Sequence, residues 1–141
     1  MCKELDDDFL DLARKHQLKA GSTLLLALMT NDGFTIANIG DSIAMRLKQN
    51  GDFLRLTEEQ TPNRDDEFNR IVRNNGLVTF KDDVARVDGS LAVSRAIGDL
   101  KYKAFLIPEP ETYSYEIHPN DDILVLATDG LLMVYSEQQV A

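Results

Sequence analysis

The chain has 141 residues, 43% of them apolar, which is enough to close the core of one ordinary domain. Its 15 Lys and Arg face 24 Asp and Glu, a net charge of -9, and that field repels phosphate backbones and anionic membrane surfaces, so neither nucleic acid nor a membrane is an expected partner. The single cysteine, Cys2, excludes an intramolecular disulfide. No apolar run approaches the ~18 residues that span a bilayer, and the first residues are acidic where a leader would be basic, so an intracellular setting, cytoplasmic or nuclear, is expected.

In chain order, residues 3–19 place Leu5, Phe9, Leu12 and Ala13 at helical spacing. Asp6 to Asp8 lie in the first turn and Arg14, Lys15 and Lys19 in the last, the charge order a helix dipole favours. Ser22 to Met29 is continuously apolar between Gly21 and the Asn31-Asp32-Gly33 turn, which predicts a central strand buried on both faces. Strands follow at Phe34 to Ile39, Ile43 to Lys48 and Phe53 to Leu56, separated by Gly40-Asp41-Ser42 and Asn50-Gly51, and the spacing predicts one antiparallel meander. A second helix starts near Pro62, carries acids at 65 to 67, buries Phe68, Ile71 and Val72, and stops at Gly76.

From Leu77 to Pro110 the periodicity fades, and an irregular insertion is expected. Alternation returns at Tyr113, Tyr115 and Ile117, followed by the turn His118-Pro119-Asn120 and a strand at Ile123 to Thr128; Ser136 is placed to cap a last helix.

Two carboxylates stand beside glycine at strand ends, Asp41 after Gly40 and Asp129 before Gly130. Glycine lets the chain turn sharply there, and two such rims could converge on one hard cation; equally, each carboxylate could simply accept N–H bonds in its own turn. His16 and His118 read as surface residues, and Ser94 lacks the surroundings of an activated nucleophile. The acids at 6–8 and 65–67 read as helix-start charges.

Taken in order, AGST (20–23), ANIGDS (37–42), LTEEQTP (56–62), the E-x-x-R-I of Glu67, Arg70 and Ile71, RVDGSLAVSRAIGD (86–99), IPEPE (107–111) and LATDG (126–130) resemble the metal-dependent PP2C (PPM) protein phosphatases over almost the whole chain. The resemblance implies an α+β fold, a partial β-sandwich of antiparallel sheets flanked by helices. It implies hydrolysis of phosphoserine and phosphothreonine on proteins, with Mg2+ or Mn2+ at the edge of the sandwich. On matching positions, it implies that Asp129 is a metal ligand, that Asp41 serves an additional metal position, and that Arg95 and Asp99 belong to a flap, residues 77–110, on the structural or substrate side.

Residues 1–141 are expected to form a single domain without the family's N-terminal acids, its D-G-H-G-G block and its late D-N block. Within the matched stretch, G-D-S-R reads Gly40-Asp41-Ser42-Ile43, D-H-x-P reads Glu59-Gln60-Thr61-Pro62, and Met133 stands where the family pattern has a second Asp. A thioether is a poor ligand for a hard cation. The expected function is therefore family-level phosphatase chemistry on a phosphoprotein, impaired in this chain alone. The alternative is a catalytically inactive phosphatase-like module that binds a regulatory partner, with self-association through uncovered sheet edges.

Overall fold

A computed structural model describes residues 1–48, 50–117 and 121–140; the predicted turn at 118–120 lies outside the described residues. Helices α1 (Cys2–His16) and α2 (Asp65–Arg73) accompany strands β1 (Gly21–Ser22), β2 (Leu24–Met29), β3 (Gly33–Ile39), β4 (Ile43–Lys48) and β5 (Phe53–Arg55) in the first half. Strands β6 (Val78–Lys81), β7 (Val84–Val87), β8 (Ile97–Gly98), β9 (Glu111–Glu116) and β10 (Asp121–Ala127) follow, then the short helices α3 (Asp129–Leu132) and α4 (Glu137–Val140).

The predicted meander is instead split between two three-stranded antiparallel sheets, β2-β3-β9 and β10-β4-β5. Strands β3 and β4 belong to different sheets, so Gly40-Asp41-Ser42 crosses between layers instead of turning back within one. The reason lies in the side chains. β3 alternates, with Phe34 and Ile36 facing inward, whereas β4 is buried on both faces: Ala44 joins Phe34, Ile36 and Leu56 between the sheets, and Ile43, Met45 and Leu47 pack with Val125, Leu132 and Val140 on the other side. A strand buried on both faces needs a layer on each side, and a hairpin partner of β3 would have only one.

The doubly buried strand is thus β4, not the Ser22 to Met29 segment. β2 lies at a sheet edge, with Leu28 69% and Met29 55% exposed. Between the sheets Arg46 lies 5.7 Å from the ring centroids of both Phe34 and Tyr115, a charge held between π faces.

Each longer helix buries only part of the expected stripe, Ala13 in α1 and Ile71 in α2, and adds residues that were not expected. α1 buries Asp6, Leu10 and Ala13 and leaves Leu5 and Leu12 half-exposed; α2 buries Glu67 and Ile71 and leaves Phe68 and Val72 exposed. In each case an acid read as a helix-start charge is the most deeply placed residue of the first turns, 2% exposed. Cationic partners make this tolerable: Lys103 Nζ lies 2.7 Å from Asp6, and Arg95 Nη2 2.7 Å from Glu67.

Residues 77–110 hold more order than their sequence suggests. β6 and β7 form a hairpin whose turn residues Asp82 and Asp83 both take left-handed backbone, φ 51° and 62°, the twist a two-residue hairpin demands. Val87, Ala96 and Leu106 from this segment close a small core over Ile71 of α2. β8 pairs with β1, tying the base of the segment to the chain after α1. At the C-terminal end Gln139 Oε1 accepts the Ser136 N–H at 2.9 Å, the reciprocal half of a capping box, as the cap at Ser136 anticipates.

Candidate functional site

The register of β4 and β10 builds the site. Ala127 stands opposite Ile43 as the last pair of the ladder, and two residues beyond each lie Asp129 and Asp41. The two carboxylates named from sequence therefore share one rim of one sheet. Asp129 opens α3 behind the N-cap position Thr128 and is exposed; Asp41 is partly buried in the crossover turn. Burial pushes the Asp41 carboxyl above its ordinary range, and the Asp129 charge beside it adds to the shift.

Beside them opens a cavity of about 270 Å3 lined by Ser22, Thr23, Leu25, Ser42, Leu126, Ala127 and Thr128. Four of these carry hydroxyls, and Thr23 Oγ1 and Ser42 Oγ lie 3.2 Å apart. The turn bearing Asp41 is fixed by its neighbours. Gly40 takes φ +105°, and a Cβ there would meet Thr23 Cγ2 at 2.3 Å, so glycine is required for both conformation and space. Its N–H donates to Gln60 Oε1 at 2.6 Å, and its carbonyl accepts from Gln60 N at 3.0 Å and from Asn38 Nδ2 at 3.2 Å.

This donor set fits a hard divalent cation. Among the described residues neither Asp41 nor Asp129 forms an ion pair, so Asp41 is desolvated near the like charges of Asp129 and Glu59. A small oxygen-seeking ion held by one or two carboxylates and completed by water is the chemical complement of such a pair. No third His, Cys, Asp or Glu joins them among the described residues.

Arg95 and Asp99 are not brought to this rim by their side chains. The Arg95 guanidinium is committed to Glu67 Oε1, Glu111 Oε1 and the Glu109 carbonyl; only its own carbonyl approaches the site, 3.4 Å from where a Gly40 Cβ would lie. Arg64 joins the same network through Glu111 and Asp66, and Arg70 through Glu67 and the carbonyls of Ser94 and Phe105. Burial alone would raise the Glu67 carboxyl, but hydrogen bonds from Arg95 and Arg70 outweigh it and hold the group below its usual range. The hydrogen bonds from Arg64 above all bring Glu111 down to about 2.

Asp99 sits at the far end of the flap in left-handed backbone, φ 53°. Its N–H donates to the Ala20 carbonyl at 2.9 Å, and burial raises its carboxyl against the opposing charge of Lys103. A Cβ on Gly21 would fall 2.0 Å from Asp99 Oδ2, so the AGST glycine makes room for it. Arg95 is thus tied down through its side chain, and Asp99 through its backbone N–H. The residues that sequence reasoning passed over are Glu67, Glu111, Asp6, Gln60 and Asn38; the Glu67-x-x-Arg70 spacing was a usable signal for the first, since it places acid and base on one helix face.

The family model described as Protein phosphatase 2C matches residues 2–141. The chain is 40% identical over 134 residues to Probable protein phosphatase 2C 2 of Arabidopsis thaliana, covering 95% of this chain and 34% of that protein. It is 37% identical over 138 residues to Protein phosphatase 1F of Rattus norvegicus, covering 98% and 30%. Among solved structures, a sex-determining protein of C. elegans superposes with a TM-score of 0.91 at 28% identity, over 99% of this chain and 34% of that one. A serine-threonine phosphatase 2C from Toxoplasma gondii superposes with a TM-score of 0.85 at 25% identity, over 98% and 51%. The chain spans about a third of the length of the curated relatives it matches. With its blocks collinear along the sequence and its two sheets superposing on those structures, the chain belongs to the protein phosphatase 2C family.

Proposed function

We propose that this chain carries one rim of the catalytic centre of a serine/threonine protein phosphatase, with phosphoproteins as substrates. The family is metal-dependent, and Mg2+ or Mn2+ is the ion this rim suits. The observation that carries the reading is the β4–β10 register, which sets Asp41 and Asp129 together beside a hydroxyl-lined cavity. Asp129 and Asp41 would hold the ion. When bound, a divalent cation supplies Lewis acidity toward phosphoryl oxygens and lowers the pKa of water.

The chain's own residues do the rest of the positioning. Ser22 Oγ donates to the Thr23 carbonyl at 2.9 Å and Thr23 and Ser42 share one hydrogen bond at 3.2 Å, which leaves Thr128 and one of the Thr23–Ser42 pair to donate to the oxygens of a phosphoryl group in the cavity, where each hydrogen bond gains strength from partial exclusion of water. The Arg95 network fixes the flap at one side of this rim, and the Asp6–Lys103 pair fixes its other end.

The test is calorimetric titration of the chain with Mn2+, alongside hydrolysis of a phosphothreonine peptide. Asp129→Asn and Asp41→Asn should each weaken Mn2+ binding by at least about tenfold. An unchanged affinity in both variants sinks the reading. Because the chain carries one rim only, absent turnover by it alone is compatible with the reading; failure of the wild-type chain to bind Mn2+ selects the alternative, a phosphatase-like module that engages a protein partner. That alternative is favoured by Met133, an exposed thioether one turn beyond Asp129 whose N–H donates to the Asp129 carbonyl at 3.0 Å.

A further inference from the structure

Gln60 is fully buried, 0% exposed, on a loop between β5 and α2, and it contributes no group to the cavity beside Asp41 and Asp129. A buried amide needs partners for two donors and an acceptor, and such a group is placed in a core only where those partners are fixed. The Gln60 amide also sits near Glu111, whose carboxyl it helps to lower, but its close hydrogen-bond partners belong to one stretch of backbone. Oε1 accepts the Gly40 N–H at 2.6 Å, Nε2 donates to the Asn38 carbonyl at 3.1 Å, and the Gln60 N–H donates to the Gly40 carbonyl at 3.0 Å. The side chain and main chain of one residue thus bracket the peptide units on either side of Ile39 and Gly40. The next residue is Asp41.

A second connection leaves from the same residue. The Gln60 carbonyl accepts the Ser94 N–H at 3.0 Å, and the residue after Ser94 is Arg95, whose side chain is locked to Glu67 and Glu111. One residue therefore joins the crossover turn between the sheets to the start of the flap's anchored end. Gly40 has no side chain to hold its own place, and its φ of +105° is a conformation open chiefly to glycine, so the bonds from Gln60 and Asn38 are what fix it.

We propose that Gln60 is a positioning residue: it holds the Gly40–Asp41 turn so that the Asp41 carboxylate keeps its place opposite Asp129, and it couples that placement to the flap through Ser94. The inference rests on the reading of Asp41 and Asp129 as cation ligands. It goes beyond that reading by naming a residue outside the ligand set on which the cation affinity depends. A carboxylate whose supporting backbone is loosened must be reordered on each binding event, and that ordering is subtracted from the affinity.

The experiment compares the wild-type chain with Gln60→Met, which keeps volume and length but removes both side-chain bonds, and Gln60→Asn, which keeps the amide one methylene too short. Ile36→Val, a core variant between the sheets, is the control for general loss of stability. Each is titrated with Mn2+, and the exchange of the Gly40 amide proton is followed by NMR without metal. Both Gln60 variants should lose at least ~10-fold in Mn2+ affinity, the range for groups that orient a ligand without touching the ion. Their Gly40 proton should exchange faster, while Ile36→Val leaves both readouts near wild type. If either Gln60 variant folds and binds Mn2+ as tightly as wild type, the positioning role is wrong and the metal reading survives. If wild type itself fails to bind Mn2+, the metal reading falls and this inference falls with it.

Discussion

The Arg95 guanidinium gives two hydrogen bonds to one oxygen of Glu67, from Nε at 3.0 Å and from Nη2 at 2.7 Å. Glu67 is 2% exposed, so this contact joins flap to helix α2 through a carboxylate that has almost no water to fall back on. Arg95→Ala should cost about 3 kcal/mol, because removing one partner of a buried pair leaves the other short of compensation. Arg95→Lys should recover only part of that, since an ammonium cannot reproduce the planar fork. Urea unfolding of the three proteins checks the order, and a Lys variant as stable as wild type would contradict it.

Glu111 supplies a pH signature. Its carboxyl is held down at about 2 in the folded protein against an ordinary value of 4.5, chiefly by Arg64. A depressed folded pKa stabilises above the unfolded value and is lost as pH falls toward the folded one. Stability should therefore decline between about 4.5 and about 2, and Glu67, also lowered, shares that decline. Glu111→Gln should lower stability at neutral pH and flatten the acid limb. Denaturant midpoints across that window check both effects, and an acid limb unchanged in the variant would show that Glu111 contributes nothing to it.

Asp6 and Lys103 close the opposite end of the flap. Asp6 Oδ1 accepts from the Gly98 N–H and from Lys103 Nζ, each at 2.7 Å, and Lys103 Nζ also reaches the Ala96 carbonyl at 2.8 Å. Lys103→Met leaves the Asp6 charge buried with only a backbone donor and should cost roughly 2 to 4 kcal/mol. The double change Asp6→Asn with Lys103→Met should recover much of it, because no uncompensated charge remains. Thermal melts of the single and double variants decide; a double variant no better than the single would mean that packing, not charge, carries the cost.

What was legible in the sequence follows a physical line. Strands and helices governed by local pattern, such as β3 with its alternation and the Ser136 cap, could be read directly. β2 could not be placed correctly, because a run of six apolar residues does not say which layer covers it. Asp82-Asp83 lacked the usual glycine of a tight hairpin, so β6 and β7 read as irregular. Asp6 looked like an ordinary helix-start charge because its partners, Gly98 and Lys103, lie far along the chain, whereas Glu67 has Arg70 one turn away and only its contact with Arg95 is hidden from the local sequence. The carboxylates of the rim were each visible at a strand end next to glycine. Their meeting was one of two open readings, because what brings them to one rim is a β4–β10 register between segments separated by the whole flap.

Asn38 is paired across the sheet with Glu111 and also gives its carbonyl to Gln60. The stretch 61–110 therefore leaves the sandwich and returns to it at the same residue. With its endpoints coincident, the segment can change length at the β6–β7 hairpin turn without altering the register of either sheet, whereas the stretch from Ser94 to Lys103 is tied to Gln60, β1 and Asp6.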